Sequence, residues 1–388
     1  MGAARSRRTA RTRRPGMETT VTGKLENFTA GVETTVDVAL IHRQLRELWQ
    51  QAAESENSVT RASLFNLVVW CESDGDRDAA TAVITELTSR YPCRTIVLRV
   101  EPESPAGLEA AISAHCHLAG GGRKQVCSEQ ISLHTGMAGA GHLTPTVLTL
   151  LEADVPTVLW WRGNFLEQPR MFRRLRSVAD RVVFDTSRWP EAERWLEPLA
   201  EVIAEPPVRH YADLSWTRLT LWRKLTADCF DDAQFLPLLP QVERLLVSHG
   251  QGLGARVRAL LYAAWAATQL GWSPEIAVER VEVFESCGED VTGVGLESVV
   301  FMAGDASARL WKDFAAHTAT AVVKMTEMCS LAHTQAFAPL SDASLLASEL
   351  DLAVTHTTYE RALSLAAVLA EAVGLDGNAP GGLNTPPH

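Results

Sequence analysis

The chain has 388 residues, 46% hydrophobic and 21% charged, with a net charge of −11. That length suits two or three domains of about 100–200 residues each, and no apolar run approaches the roughly 18–20 residues of a membrane helix, so no membrane partner is expected. Residues 1–16 hold six Arg and no acid, leaving −17 on the rest (the −11 total less the head's +6); an acidic body argues against nucleic acid, whose binding rests on neutralising phosphates.

The basic head reads as part of a disordered extension over 1–35, with Met17 an alternative start and a transit-like segment the competing reading. Seven Cys, an odd number without any C-x-x-C pair, fit a reducing, cytoplasmic setting better than a disulfide scaffold. Residues 36–53 then carry Val38, Ile41, Leu45 and Leu48 on one face, which predicts the first helix. A strand over 64–70, a helix over 76–90 and a strand over 94–100 follow, the order of a βαβ unit. Residues 108–118 and 125–133 alternate around Gly120-Gly121-Gly122, which predicts a β-hairpin. A turn centred on Gly121 and Gly122 sets Cys116 opposite Cys127 and Ile112 opposite Ile131. Opposed Cβ atoms lie about 4.5–5.5 Å apart, somewhat wider than a disulfide prefers. A bridge therefore needs a small adjustment, and two reduced cysteines are the default reading.

A helix over 141–151 leads into the stretch around which the chain is organised, 155–187. It reads as strand 155–161, helix 165–178 and strand 181–185, a second βαβ unit of the kind two parallel strands require. Both strands end in polar residues, Arg162-Gly163-Asn164 and Asp185-Thr186-Ser187. In open α/β sheets the carboxyl ends of strands are where ligands and partners meet the fold. Trp161, Arg162, Asn164, Asp185 and Ser187 are therefore the candidate partner-binding residues. Capping of the next helix is the competing use of the second cluster. Trp160 and Trp161 face opposite ways on a strand, so one can pack in the core while the other meets a helix or a partner.

A helix over 190–202 starts at Pro190, and Pro206-Pro207 marks the expected domain boundary. Beyond it come a helix over 216–229, a possible strand over 238–247 and a helix over 255–270. Strand-like runs at 276–285, 296–302, 306–314 and 319–327 suggest an antiparallel meander. A long helix over 344–373 precedes a Gly/Pro/Asn tail expected to be disordered over 375–388. The fold class is α/β: a Rossmann-like domain over 36–205, then an α+β domain with antiparallel strands over 206–374.

Gly250-Gln251-Gly252-Leu253-Gly254-Ala255 matches G-x-G-x-x-A, which could rest a nucleotide phosphate on a helix N-terminus. A lone match outside a βαβ series reads first as a Gly-rich connection. His115 and His117 flank Cys116, and strand alternation puts the two His on one face and the Cys on the other, which disfavours a metal. There is no nucleophile elbow, phosphate loop or H-E-x-x-H. No catalytic residue, cofactor or metal is assigned.

Six segments together carry a resemblance: RASLFNLVVW (61–70), YPCRTIVL (91–98), VCSEQISL (126–133), VPTVLWWRG (155–163), ADRVVFDTS (179–187) and ADLSWTRLTLWRKLTADCFDD (212–232). The chain resembles the OpcA family, the glucose-6-phosphate dehydrogenase assembly proteins, in family order across most of 36–272. The paired Trp and the D-L-x-W-x-R-L-x-x-W helix (Asp213, Leu214, Trp216, Arg218, Leu219, Trp222) are its more specific parts. The resemblance implies a non-catalytic partner, an allosteric activator that binds glucose-6-phosphate dehydrogenase and promotes its active oligomer at the entry to the oxidative pentose phosphate pathway. In photosynthetic members it further implies a link to thioredoxin and thiol state. The tail from Gly374 has no Cys, so Cys116 and Cys127 are the redox candidates here. The alternative is an enzyme or sensor that binds a sugar phosphate or nucleotide at the sheet's carboxyl edge or the Gly250 loop; a purely structural scaffold is a third reading.

Overall fold

A computed structural model describes residues 33–55, 59–118, 125–206, 210–286, 295–325, 329, 332–337, 340–351 and 357–375. Of the disorder expected over 1–35 and 375–388, residues 1–32 and 376–388 lie outside the described residues, as do the Gly121–Gly122 turn and Pro207, whereas Thr34 and Thr35 pair into a sheet and Leu375 ends a helix. The described chain is a mixed α/β structure built on two sheets.

The first sheet uses β1 (Thr34–Val36), β2 (Val59–Arg61), β3 (Asn66–Cys71), β4 (Arg94–Glu101), β5 (Glu109–Leu118), β6 (Gln125–Gly136), β7 (Thr157–Trp161), β8 (Arg181–Phe184) and β9 (His210–Asp213). Its order is β1-β5-β6-β4-β3-β7-β8-β9, with β2 also on β6. From β6 to β9 every pairing is parallel. Strands covered on both faces read as continuous apolar runs, and β3 and β7 are buried at every position. One face packs under α1 (Ile41–Ser55), α3 (Leu143–Leu150) and α4 (Pro169–Arg176) through Trp70, Leu159, Trp161 and Phe184. The other packs under α2 (Asp74–Thr88) through Leu67, Val69, Val158 and Trp160, and under the late helix α10 (Asp342–Asp351). The two adjacent Trp thus enter opposite layers, and both are buried.

The hairpin expected around the glycines is β5 and β6, paired antiparallel with Cys116 opposite Cys127 and Ile112 opposite Ile131. The second βαβ unit is β7, α4 and β8, joined in parallel. Several boundaries differ from the sequence reading. Val36 belongs to strand β1 on β5 rather than to a helix, and Asp37 turns the chain by accepting from the Ala39 amide. The helix expected from Pro190 is replaced by a tight turn over 192–195, because Glu191 is left-handed (φ 48°), and α5 (Leu196–Ala204) follows. The possible strand from 238 begins only at β10 (Arg244–His249), since Pro237 and Pro240 hold 236–241 in a short 3-10 helix.

The helix expected over 216–229 is two helices, α6 (Leu214–Thr217) and α7 (Thr220–Phe230). The helix over 255–270 is α8 (Ala255–Gln269). The strand-like run at 276–285 is half helix: Ser273 caps α9 (Pro274–Arg280), with Pro274 at its first position, before β11 (Val281–Glu285). With β12 (Leu296–Ala303), β13 (Ala306–Asp313), β14 (Thr318–Lys324) and β15 (His333–Ala336) these form the second sheet, ordered β11-β10-β12-β13-β14-β15. The expected meander holds from β12 to β15, whereas β11 joins β10 in parallel by a helical crossover. Of the long final helix expected over 344–373, residues 352–356 lie outside the described residues, and the described parts are α10 and α11 (Thr357–Leu375).

The first sheet continues past the expected boundary at 205/206 through β9, which pairs with β8. Helix α11 packs on both α8 and α5, and α10 on α2. One apolar cluster therefore runs from Trp161 and Phe184 to Trp222, Tyr262 and Phe301.

Candidate functional site

Strand β3 sits between β4 and β7, so the chain leaves it in opposite directions, and a crevice is expected above the carboxyl ends of β3 and β7. Helix α2 starts there, with Ser73 accepting from the Asp76 amide at 3.1 Å. In nucleotide-binding sheets of this kind the phosphate rests on such a helix start. Here Asp74 and Asp76 occupy the first turn. Arg162, buried after β7, donates from Nε to Asp76 at 2.7 Å and stacks 4.6 Å over the Trp160 ring. The Glu72 carboxylate lies across Gly163, where a Cβ would meet it at 1.7 Å. The crevice is occupied by the chain's own carboxylates and by the guanidiniums of Arg162 and Arg188.

A second cluster sits at the ends of β8 and β9. Asp185 accepts from the Ser187 amide (3.1 Å), Ser187 Oγ (2.5 Å), Ser215 Oγ (2.9 Å) and Arg218 Nη1 (2.7 Å). Asp213 accepts from the Thr186 amide (3.1 Å), Thr186 Oγ1 (2.6 Å), the Ser215 amide (2.9 Å) and Tyr359 Oη (3.2 Å). Burial, and then the neighbouring Asp185 charge, push the Asp213 carboxyl up to about 6. Arg218 also reaches Asp342 at 3.1 Å, and Arg188 reaches Asp342 at 3.2 Å and Asp76 at 3.6 Å. Asp342 begins α10, so the end of the chain ties the two clusters together.

All five candidate partner-binding residues belong to this carboxyl edge, and all five are buried. Trp161 stacks on Trp70 at 4.6 Å, Asn164 caps a short turn through the Leu166 amide, and Asp185 and Ser187 bond to each other. In this conformation they present no surface of their own: Asn164, Asp185 and Ser187 bond within the loops they shape, while Trp161 Nε1 and Arg162 Nη1 are buried without a hydrogen-bond partner, and Asp185 caps the short turn 186–188 rather than the helix expected from Pro190.

The Gly250 turn is a structural contact. Gly254 has φ 70°, and a Cβ there would lie 2.3 Å from Ser187 Cα, so the start of α8 closes on the Asp185–Ser187 turn. A cavity of about 410 Å³ beside it is lined by Glu193, Glu285 and Arg256 as well as by the glycines, a wall of mixed charge. His115 hydrogen-bonds with Thr85 and Gln130, and His117 with Thr88. Among the described residues no metal-ligand cluster is found. The Cys116 and Cys127 sulfurs are joined in a disulfide. Sequence reasoning missed Asp213, Arg218 and Asp342 as members of the cluster. The D-L-S-W segment signals the Asp213 cap, but nothing local links Arg218 to an acid 124 residues away.

The family model described as the glucose-6-phosphate dehydrogenase subunit N-terminal domain matches residues 84–201, and the model of the subunit's C-terminal domain matches 209–363. Two proteins named OpcA, and placed by name in the OxPP cycle, are similar. The one from Synechocystis sp. is 28% identical over 195 residues, and the one from Nostoc punctiforme 30% identical over 206. These stretches cover 50% and 52% of this chain but only 40% and 42% of the relatives, so the match spans about two fifths of their length. Among solved structures, the 3-ketoreductase KijD10 from Actinomadura kijaniata (10% identity, TM-score 0.40, covering 81% of this chain and 96% of that one) is similar. So is an aldose-aldose oxidoreductase from Caulobacter crescentus (11%, TM-score 0.41, 81% and 98%). At these scores neither enzyme informs the chemistry of this chain.

Proposed function

The chain belongs to the OpcA family, and from that premise we propose that it is a non-catalytic partner of glucose-6-phosphate dehydrogenase, acting in the cytoplasm to promote the enzyme's active oligomer. The matches to two family models, described as the N-terminal and C-terminal domains of a subunit of that enzyme, carry the choice of partner. The carboxylate-filled crevice supports the non-catalytic half: Asp74 and Asp76 stand where a dinucleotide phosphate would rest, and Arg162 is already paired. The mechanism is differential binding, since a partner shifts an equilibrium only by the difference in its affinity for the two states.

The docking face in this proposal lies over the carboxyl edge of the first sheet. Trp161, Arg162, Asn164, Asp185 and Ser187 shape it from below, and the exposed Arg188 forms part of its surface. Titration into the cognate dehydrogenase at low substrate, with size exclusion on the same mixtures, tests the reading. A saturable rise in activity with a co-eluting complex is expected, weakened by Arg188→Glu. Neither complex nor activation, with folded protein and active enzyme, would overturn it.

The Cys116–Cys127 bond is the proposed point of redox control, with thioredoxin as the reductant: its dithiol is oxidised to a disulfide as this bond is reduced to two thiols. Alkylation and mass measurement before and after thioredoxin should show two newly modified cysteines. No mass change would remove the switch.

A further inference from the structure

Helices α5 and α11 pack against each other, and both line a cavity of about 690 Å³. Its apolar part comes from Ala200 on α5 and from Ala367, Val368 and Ala370 on α11, and Val368 is 38% exposed. Around these side chains the lining is acidic. Glu197 and Glu201 stand one helical turn apart on α5, Glu193 precedes them on the short turn, and Glu371 joins them from α11. Among the described residues none of these four makes an ion pair within 4.0 Å. Glu191 pairs with Arg194 at 2.7 Å, and Arg256, from the first turn of α8, is the second cation of the lining. Five carboxylates and two guanidiniums leave a formal charge of −3 (−5 plus +2).

An apolar floor between carboxylates is complementary to a basic chain segment, whose side-chain stems cover the floor while their guanidiniums meet the carboxylates. The chain carries such a segment. Residues 1–16 hold Arg5, Arg7, Arg8, Arg11, Arg13 and Arg14 and no acid. They lie outside the described residues, which begin at Glu33 and enter β1 at Thr34. The groove is within their reach. From β1 to β9 the first sheet counts seven strand spacings, about 34 Å in all. Helix α5 joins β8 to β9 and so lies one layer, about 10 Å, from that side of the sheet. The 17 residues from Met17 to Glu33 extend to as much as about 58 Å, more than the roughly 40 Å to be crossed.

We propose that the groove between α5 and α11 is the docking site of the chain's own Arg-rich head, residues 1–16, held within one molecule by ion pairs to Glu193, Glu197, Glu201 and Glu371 over the apolar floor. Exposed ion pairs are individually weak and screened by salt. The contact therefore rests on several pairs together and on the tether, which keeps the head at an effective concentration of about millimolar. With the head in place the carboxylates are neutralised and Val368 is covered. The groove borders the proposed dehydrogenase face, since Glu191 follows Arg188 by three residues. The inference does not depend on that face, and its test uses this chain alone, so the two readings fail independently.

The test is photo-cross-linking and carboxyl footprinting of the full chain. Thr9→p-benzoylphenylalanine, in the middle of the head, should cross-link on irradiation to peptides of α5 or α11 at monomer mass. Salt at about 1 M should remove the product, because the Debye length falls to about 3 Å. Carbodiimide-driven labelling of Glu197, Glu201 and Glu371 should run at least about threefold faster when the six head arginines are changed to glutamine. Glu197→Lys, Glu201→Lys and Glu371→Lys together should abolish the cross-link. Changing the six arginines to glutamate in that background should restore it, a reciprocal exchange that misfolding cannot mimic. Cross-links confined to another surface or joining two chains would overturn the proposal. So would labelling that ignores the head variant but slows with protein concentration, which would make the exposed Arg170, Arg173 and Arg174 of a second copy's α4 the occupant.

Discussion

Asp213 is a carboxylate buried beside another carboxylate, and its environment makes a sign-definite prediction. Its folded value of about 6 lies above the ordinary 3.8, so between about pH 4 and 6 the folded protein holds a proton that the unfolded chain has released. The stability contributed by the neutral form is complete at low pH and is lost as pH rises through about 6. Asp213→Asn keeps acceptance from the Thr186 and Ser215 amides while removing the titration. Urea unfolding from pH 4.5 to 7 should therefore show the wild type losing stability relative to the variant, by up to roughly 2 kcal/mol. Parallel pH courses for the two proteins would contradict the assignment. Gly254 gives a second prediction at this scale. Alanine there meets Ser187 Cα at 2.3 Å and a left-handed backbone at φ 70°. The backbone alone costs about 1–2 kcal/mol, and the overlap adds to it, so a loss of at least about 2 kcal/mol is expected in chemical denaturation. Unchanged stability would show that the α8 start can withdraw from the Asp185–Ser187 turn.

Among the elements, the β5–β6 hairpin was the most legible. Alternation around a glycine run placed Cys116 opposite Cys127, because a period of two leaves little freedom once Ile112 and Ile131 must share the buried face. The bond closes residues 11 apart in sequence, for which a loss of about 2–3 kcal/mol on reduction is expected. Reduced protein, or Cys116→Ser, should unfold at a lower midpoint yet stay folded, because β6 is also paired to β4 and β2. Global unfolding on reduction would mean that the hairpin carries the fold. The poorly read elements were those whose local signals compete. In 276–285, the Ser273-Pro274 helix start outweighed a strand-like apolar pattern. Val36 was read as the first residue of a helix but is taken up by the edge of the sheet through pairing with Ala110.

At the scale of the molecule, the parallel core from β6 to β9 buries both its faces, and the second half of the chain helps to bury them: α10 lies over α2, and α11 links α5 to α8. A dehydrogenase that docks on the carboxyl edge would therefore meet loops braced by the last described helices, through Asp342 and Tyr359. The titration and size-exclusion experiment belongs to this scale, since it reads the whole surface rather than one side chain.

The amino-acid order alone determined the two βαβ units, the hairpin register and the polar strand ends, because each rests on spacing within about thirty residues. It also carried the family resemblance, through segments in a shared order. Only the tertiary structure decided that the strand-end residues are buried and that Arg218 and Arg188 answer to Asp342 from the far end of the chain. Such meetings depend on how α8, α10 and the second sheet pack against the first. Packing is set by the shape and volume of whole layers, which no local pattern in the sequence encodes.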